Sequence, residues 1–236
     1  MKTFNKALSG LCIGIGLIIM GTTISHSIIT VKDRDRIVTV KGLAEREVNA
    51  DRVIWPLVFK EIGNDMTTIY NEINRKNKIV CDFLKANGIS DSEISIAAPQ
   101  IIDMRAERYV NNNEINYRYN VTSIITVSSG QVDKVRQLIA RQVELLKQGV
   151  AITGDDYRYT TRYSFTGLND IKPAMIEEAT IAARNAAEKF AKDSDSKLGK
   201  IRRANQGQFV ISDRDESTPY IKEVRVVTTI DYYLKD

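Results

Sequence analysis

Two rhythms of hydrophobic positions run along this chain, and each predicts a different element. From Arg36 the side chains alternate, with Ile37, Thr39 and Lys41 on one side and Val38, Val40 and Gly42 on the other. That period of two predicts a strand ending at the glycine. Residues 48–62 predict a second strand, rich in β-branched and aromatic residues, with Val53, Trp55, Leu57 and Phe59 on one face. Pro56 has no N–H to donate, so it marks an edge or a bulge. After Gly63 the rhythm changes to steps of three and four: Met66, Ile69, Tyr70, Ile73, Val80, Phe83 and Leu84. This stripe predicts a helix capped by Asn64 or Asp65 and stopped at Asn87-Gly88. Asn77 interrupts it and reads as the helix edge.

Strands follow at about 94–109 and 115–127, and the turn-forming Asn111-Asn112-Asn113 between them predicts an antiparallel hairpin. In the second arm Tyr117, Tyr119, Val121, Ser123, Ile125 and Val127 share a face. A helix from Val132 to about Lys147 turns Val135, Leu138, Ile139 and Leu146 inward and ends at Gly149. Next, Tyr157, Tyr159, Thr161, Tyr163 and Phe165 alternate with Arg158, Thr160, Arg162 and Ser164, predicting a strand with an aromatic row. A helix from Asp170 to about Asp193 carries a small-residue face: Met175, Ala179, Ala182, Ala183, Ala186, Ala187, Phe190 and Ala191. Such a face permits close packing. A strand near 200–211, a polar loop over 212–218 and a final strand, in which Val224, Val226, Thr228, Ile230, Tyr232 and Leu234 alternate with Arg225, Val227, Thr229, Asp231 and Tyr233, complete the order ββαββαβαββ. The fold class is α+β, with mostly antiparallel sheets packed by amphipathic helices and one N-terminal transmembrane helix before them.

That helix is read from Lys2 and Lys6 followed by an uncharged run, Ala7 to Val31, most apolar over Leu11 to Met20. The run exceeds the roughly 18 residues that suggest a span. Residues 1–31 are therefore a membrane anchor or signal segment, and residues 32–236 an exported domain. An uncleaved anchor is preferred because no A-x-A cleavage site is present, although Ser25 and Ser27 keep a cleaved signal peptide open. Polar Thr22, Thr23, Ser25 and His26 weaken the preference. The lysines ahead of the run place the N-terminus in the cytoplasm and the domain outside it. The expected location is a bacterial inner membrane, single-pass with the domain in the periplasm, or the periplasm itself after cleavage.

Composition alters this picture little. The 236 residues include 34 basic and 30 acidic ones, mixed along the chain without the basic stripe that nucleic-acid binding needs. Nucleic acid is not an expected partner. Cys12 and Cys81 fall in different surroundings and are not expected to bridge. The only histidine, His26, lies beside the apolar run, so Ser-His-Asp and Cys-His mechanisms have no base in the domain. Cys81 alone cannot build a zinc site. The acidic stretches Gly154-Asp155-Asp156 and Asp213-Arg214-Asp215-Glu216 lack calcium-loop spacing and read as solvated turns. Glu45 and Glu47 share a strand face, as carboxylate-pair chemistry would need, but two exposed charges explain them equally well. No phosphate-binding glycine loop occurs. Neither a catalytic site nor a cofactor or metal is expected. A ligand platform on Tyr157, Arg158, Tyr159, Arg162 and Tyr163 is the one binding site the pattern offers.

Val40-Lys41-Gly42-Leu43-Ala44-Glu45-Arg46-Glu47-Val48, followed by Ala50-Asp51, resembles the opening V-x-G-x-a-E-x-x-V, then D, of the SIMPL-domain family of bacterial envelope proteins. The later half is similar too: Glu178-Ala179, Ala183-Arg184 and Ala187-Glu188, then Lys197-Leu198-Gly199-Lys200-Ile201, then Val224-Arg225-Val226 through Tyr233-Leu234. Thr180 stands where the family often has arginine, and Trp55-Pro56 where a plain apolar strand is usual. The resemblance implies an exported or anchored α+β domain. In some members it assembles into ring-like or channel-like oligomers linked to envelope or oxidative stress, with no established catalytic site. The expected function is a non-enzymatic envelope scaffold that self-associates, its other envelope partner unknown. The alternative is a binding module for a small solute or envelope polymer.

Overall fold

A computed structural model describes residues 14–25, 27, 36–106, 116–154 and 157–235. Helix α1 covers 14–25, and its side chains from Ile15 onward are exposed. Thr22 and Thr23 donate their hydroxyls to the carbonyls of Ile19 and Met20 at 2.9 Å, so these polar groups are satisfied within the helix. No helix among the described residues is long and apolar enough to cross a membrane. Much of the expected transmembrane segment, with Cys12 and His26, lies outside the described residues.

The elements that follow are β1 (Ile37–Asn49), β2 (Arg52–Gly63), α2 (Met66–Ala86), β3 (Ile94–Ile96), β4 (Gln100–Asp103), β5 (Tyr119–Ser129), α3 (Val132–Arg141), α4 (Val143–Lys147), β6 (Arg162–Ser164), α5 (Leu168–Asp193), β7 (Lys197–Gln206), β8 (Val210–Asp213) and β9 (Ile221–Lys235). They form two antiparallel sheets packed by helices, an α+β fold as the pattern predicts. One sheet has the order β1-β9-β7 with β8 also on β9, and the other β3-β5-β2-β6 with β4 also on β5. The chain divides into two compact units. The first contains residues up to Arg46 with Asn169–Val210 and Val224–Asp236; the second contains Glu47–Leu168 with Ile211–Glu223.

In the first unit, the strand does not end at Gly42 as its pattern predicts, but runs on to Asn49. The glycine serves another purpose: α5 lies directly on it. A Cβ at this position would stand 1.8 Å from the Ala179 carbonyl oxygen, 2.5 Å from Ala183 N and 2.9 Å from Ala183 Cβ. Met175, Ala179, Ala183, Ala187 and Ala191 are all buried and recur every fourth residue, forming one ridge along α5. Of these, Ala183 and Ala187 pack with Val40, Ile230 and Tyr232 of the sheet. Phe190, expected in this row, instead lies 61% exposed, because the ridge follows the four-residue step and leaves the position before Ala191 outside. The strand expected at 200–211 is two strands, separated near Gly207, whose missing Cβ would meet the Val227 carbonyl at 2.7 Å.

In the second unit, Val53, Trp55, Leu57 and Phe59 form one buried face of β2, as alternation predicts, and pack with Ile69, Ile73, Val80, Phe83 and Leu84 of α2. Asp65 caps α2, accepting the N–H groups of Thr67 and Thr68. Asn77 accepts a 2.8 Å hydrogen bond from the buried Ser123 hydroxyl, so the break in the apolar stripe satisfies a polar group beneath it. Pro56 sits within an unbroken register with β5, opposite Thr126. Its N faces away from β5, on the side where Val58 C=O takes the Thr153 N–H at 2.7 Å, and β6 has already ended opposite Ile54. No ladder bond is lost. The expected hairpin exists as β3 and β4, both antiparallel to β5. Arg118 grips Asp103 at 2.8 Å near its end, while the Asn111–Asn113 turn lies outside the described residues. The helix expected over 132–147 is broken at Gln142, where i→i+3 bonds from Gln142 N to Ile139 and from Leu145 N to Gln142 tighten the turn. The phase shifts, so Leu145 is buried and Leu146 exposed, the reverse of the periodic expectation for Leu146.

Glu93 joins this unit's helical turn at Asp91–Glu93 to the sheet. Its carboxylate takes the Ser129 hydroxyl at 2.5 Å and the Ser90 N–H and hydroxyl at 2.9 and 2.8 Å. Those bonds, the Ser129 one foremost, hold its pKa at about 2, down from the ordinary 4.5. A depressed pKa stabilises the fold fully above the unfolded value and loses that contribution as pH falls through the folded one. Glu93→Gln should therefore be less stable than wild type near neutrality, with the gap closing between pH 4.5 and about 2. Urea denaturation across that range checks this, and a gap that does not change with pH would contradict it.

Candidate functional site

The predicted row Tyr157, Arg158, Tyr159, Arg162 and Tyr163 is not one strand. Tyr157–Tyr159 form a single 3₁₀ turn, and only Arg162–Ser164 are extended, as β6. Tyr157 is 84% exposed. Tyr159 shares a 3.1 Å hydrogen bond with Gln100 and lies 5.6 Å from the Arg158 guanidinium. Tyr163 pairs opposite Val53 and packs against the main core. The aromatic row that alternation predicts, Tyr157, Tyr159 and Tyr163 with Arg158 and Arg162 interleaved, is therefore not carried by one extended strand, because the 3₁₀ turn resets the direction of its first members.

Tyr163 instead joins a cluster that periodicity could not anticipate, since its members come from three distant segments. Its ring meets Tyr220 edge-on at 6.2 Å, and the Arg136 guanidinium lies 3.3 Å from the centre of the Tyr220 ring. Asp133, one turn earlier on α3, pairs with Arg136 at 3.1 Å. Tyr220 is fixed through its carbonyl, which accepts the Ala50 N–H at 2.8 Å. Beside the cluster is a hollow of about 240 Å³ lined by Asn49, Ala50, Val132, Asp133, Arg136 and Tyr220. Burial pushes the Tyr163 phenol up, while the Arg136 charge works in the opposite direction. A phenol held neutral in this way is a poor base, and the guanidinium is already shared between an aromatic face and a carboxylate. The arrangement can hold a small polar group but offers no activated nucleophile.

A second hollow, about 320 Å³, is lined by Glu61, Asn64, Asp65, Thr68 and Glu72 among others. Its acids are engaged locally: Asp65 caps α2, Glu72 pairs with Arg75 at 2.9 Å, and Glu61 pairs with Lys76. Among the described residues no three His, Cys, Asp or Glu side chains gather to hold a metal. Asp215 takes the N–H groups of Ser217 and Thr218 and the Thr218 hydroxyl, and its pKa falls to about 2, chiefly through that hydroxyl. Asp213 pairs with Lys222. Asp215 serves the turn in which it lies and Asp213 ties the end of β8 to β9; Asp155 and Asp156 are outside the described residues. The carboxylates weighed for paired chemistry each meet an arginine, Glu45 with Arg225 at 3.2 Å and Glu47 with Arg214 at 3.3 Å.

The profile of the SIMPL family, described as a protein of unknown function (DUF541), matches residues 38–231. The chain belongs to the SIMPL family. Among curated proteins, none matches it. The SIMPL signature residues now have physical tasks. Gly42 admits α5, Glu45 and Arg46 pair with Arg225 and Glu178, and Asp51 takes the Thr166 and Gly167 N–H groups at 2.8 and 2.9 Å, just ahead of α5. Asp51, in the bend between β1 and β2, thus satisfies N–H groups just ahead of a helix more than 110 residues along the chain. In this SIMPL domain, Arg136→Met should lower stability by about 1 kcal/mol through loss of the guanidinium from the Tyr220 face. Thermal unfolding followed by circular dichroism measures this, and an unchanged midpoint would show the contact to be idle.

Proposed function

We propose that this SIMPL protein is a non-catalytic, membrane-anchored domain of the bacterial envelope that self-associates as a scaffold or channel-like oligomer. The observation that carries the reading is the outer edge of the second unit's sheet. Residues 94–102 are uncharged, and among the described residues β3 and β4 pair only with β5. Ile96, Ile101 and Ile102 on these strands are 52%, 54% and 43% exposed. A sheet edge of this kind carries unpaired backbone groups that another strand can join, and proteins that remain single usually blunt it with charge, proline or bulges. Here Pro99 lies between the two strands and Asp103, held by Arg118, closes β4, while the stretch from Ile94 to Ile102 carries no charge. The edge strand β7 differs: it carries Lys197, Lys200, Arg202 and Arg203 and two register shifts, and is protected by the same rule.

Anchoring is supported by the uncharged run from Ala7 to Val31 and by α1, whose apolar side chains are exposed and whose threonine hydroxyls are satisfied internally. Placement of the domain in the periplasm follows from Lys2 and Lys6 ahead of that run. The solute-binding alternative would fall to one of the two hollows: the Arg136–Tyr220 one, at about 240 Å³, is below the roughly 300 Å³ at which ligand pockets begin, and the one beside Asp65, at about 320 Å³, just reaches it with its acids already engaged. Light scattering on the full chain in detergent tests self-association. Wild type should be an oligomer, and Ile101→Lys should move it toward monomer without changing its circular dichroism. A strict monomer at high concentration contradicts the proposal.

A further inference from the structure

The first unit has a basic end that its own acids do not neutralise. β1 starts there, with the Arg36 carbonyl accepting the Leu234 N–H at 2.8 Å. One residue on, Lys235 stands directly opposite Lys197 in the pairing of β9 with β7. Like charges directly across an antiparallel pair repel one another. Both lysines are exposed, as are Lys192 in the last turn of α5 and Lys200 and Arg202 on β7. None of these five forms an ion pair with a described residue. The acids nearby in the chain are Asp193, Asp195 and Asp236, fewer than these five bases, while Asp33 and Asp35 alternate with Lys32, Arg34 and Arg36; Asp231 lies opposite Arg203 and takes the Thr39 hydroxyl. Phe190, in the same final stretch of α5, is 61% exposed.

The leader limits what can reach this end. Val31, its last uncharged residue, precedes Arg36 by five positions, a reach of at most about 18 Å. A leader held in a bilayer keeps the start of β1 close to the headgroups. An exposed aromatic ring among basic side chains is the composition that settles at such an interface, where each Lys or Arg near an anionic surface adds attraction. The geometry points to a bilayer-docking surface, in which Lys192, Lys197, Lys200, Arg202 and Lys235, with Phe190, engage anionic phospholipid headgroups of the membrane that holds the leader. The inference rests on the anchor reading. Its consequence is that the domain is oriented on the membrane rather than free on a tether, and that the lipid anions relieve the Lys197–Lys235 repulsion.

Hydrogen exchange of the full chain in lipid nanodiscs tests this. Peptides covering residues 188–203 should exchange more slowly in discs containing about one-third phosphatidylglycerol than in phosphatidylcholine alone. High salt should remove the difference. Each neutralised lysine should reduce the docked-to-undocked ratio about fivefold, so Lys197→Gln with Lys200→Gln and Lys235→Gln should abolish the protection. Phe190→Ser should weaken it with the charges intact. Equal exchange in both discs overturns the proposal. So does protection by soluble polyphosphate with none from phosphatidylglycerol, which would assign the surface to a polymer. If the purified chain fails to enter discs and its intact mass shows the leader removed, the anchor reading has failed. Co-sedimentation of that processed protein with phosphatidylglycerol vesicles, lost in the triple variant, would still uphold the surface, and no co-sedimentation would overturn it.

Discussion

The contact of α5 with Gly42 is the constraint on which the first unit depends. A helix normally rests on a sheet through side chains, whereas here a strand glycine faces helix backbone. Everything on the buried side of α5 follows from that closeness. The ridge at positions 179, 183, 187 and 191 is alanine throughout and buried, and Val40, Ile230 and Tyr232 on the strands pack with Ala183 and Ala187. Two stretches of sequence more than 130 residues apart are the two sides of one contact, which is why neither reads as functional by itself.

The same economy governs the polar residues. Glu45, Arg46, Glu47 and Asp51 look in sequence like a run of available charge, yet each has a partner. Exposed pairs of this sort contribute little to stability individually. Their effect is to fix which charge faces which, and to hold Glu45 and Glu47 each on its own arginine. Among the described residues, two surfaces differ from this pattern, the apolar outer edge of β3 and β4 and the basic end around Lys197 and Lys235. Surfaces of this composition suit partners and membranes better than small substrates.

Much of the fold was legible because its elements keep one rhythm. The β2 face, the α2 stripe, the β5 face and the inward row of β9 all came from period alone, and the family was legible from the order of its motifs. The misreadings share a cause: local geometry that changes phase without changing composition. At Gln142 a tightened turn exchanged Leu146 for Leu145, and the 3₁₀ turn at Tyr157–Tyr159 dispersed a row that alternation had aligned. Gly42 was read as a strand end because glycine usually punctuates, whereas its use as a contact depends on a helix far along the chain. The Arg136–Tyr220–Tyr163 cluster was invisible for the same reason, its parts lying on α3, the turn before β9 and β6.

Substituting that glycine tests the account most directly. In Gly42→Ala the added methyl meets the Ala179 carbonyl and the Ala183 amide, which are helix backbone and cannot rotate away. Overpacking of this kind costs about 1–3 kcal/mol, or more where nothing can move. Gly154→Ala adds its methyl to open space and should stay within about 0.5 kcal/mol of wild type. Urea denaturation of the two variants should show Gly42→Ala destabilised by well over 1 kcal/mol and Gly154→Ala unchanged. A Gly42→Ala protein as stable as wild type would mean that α5 does not rest on this strand, and the account would fail at its base.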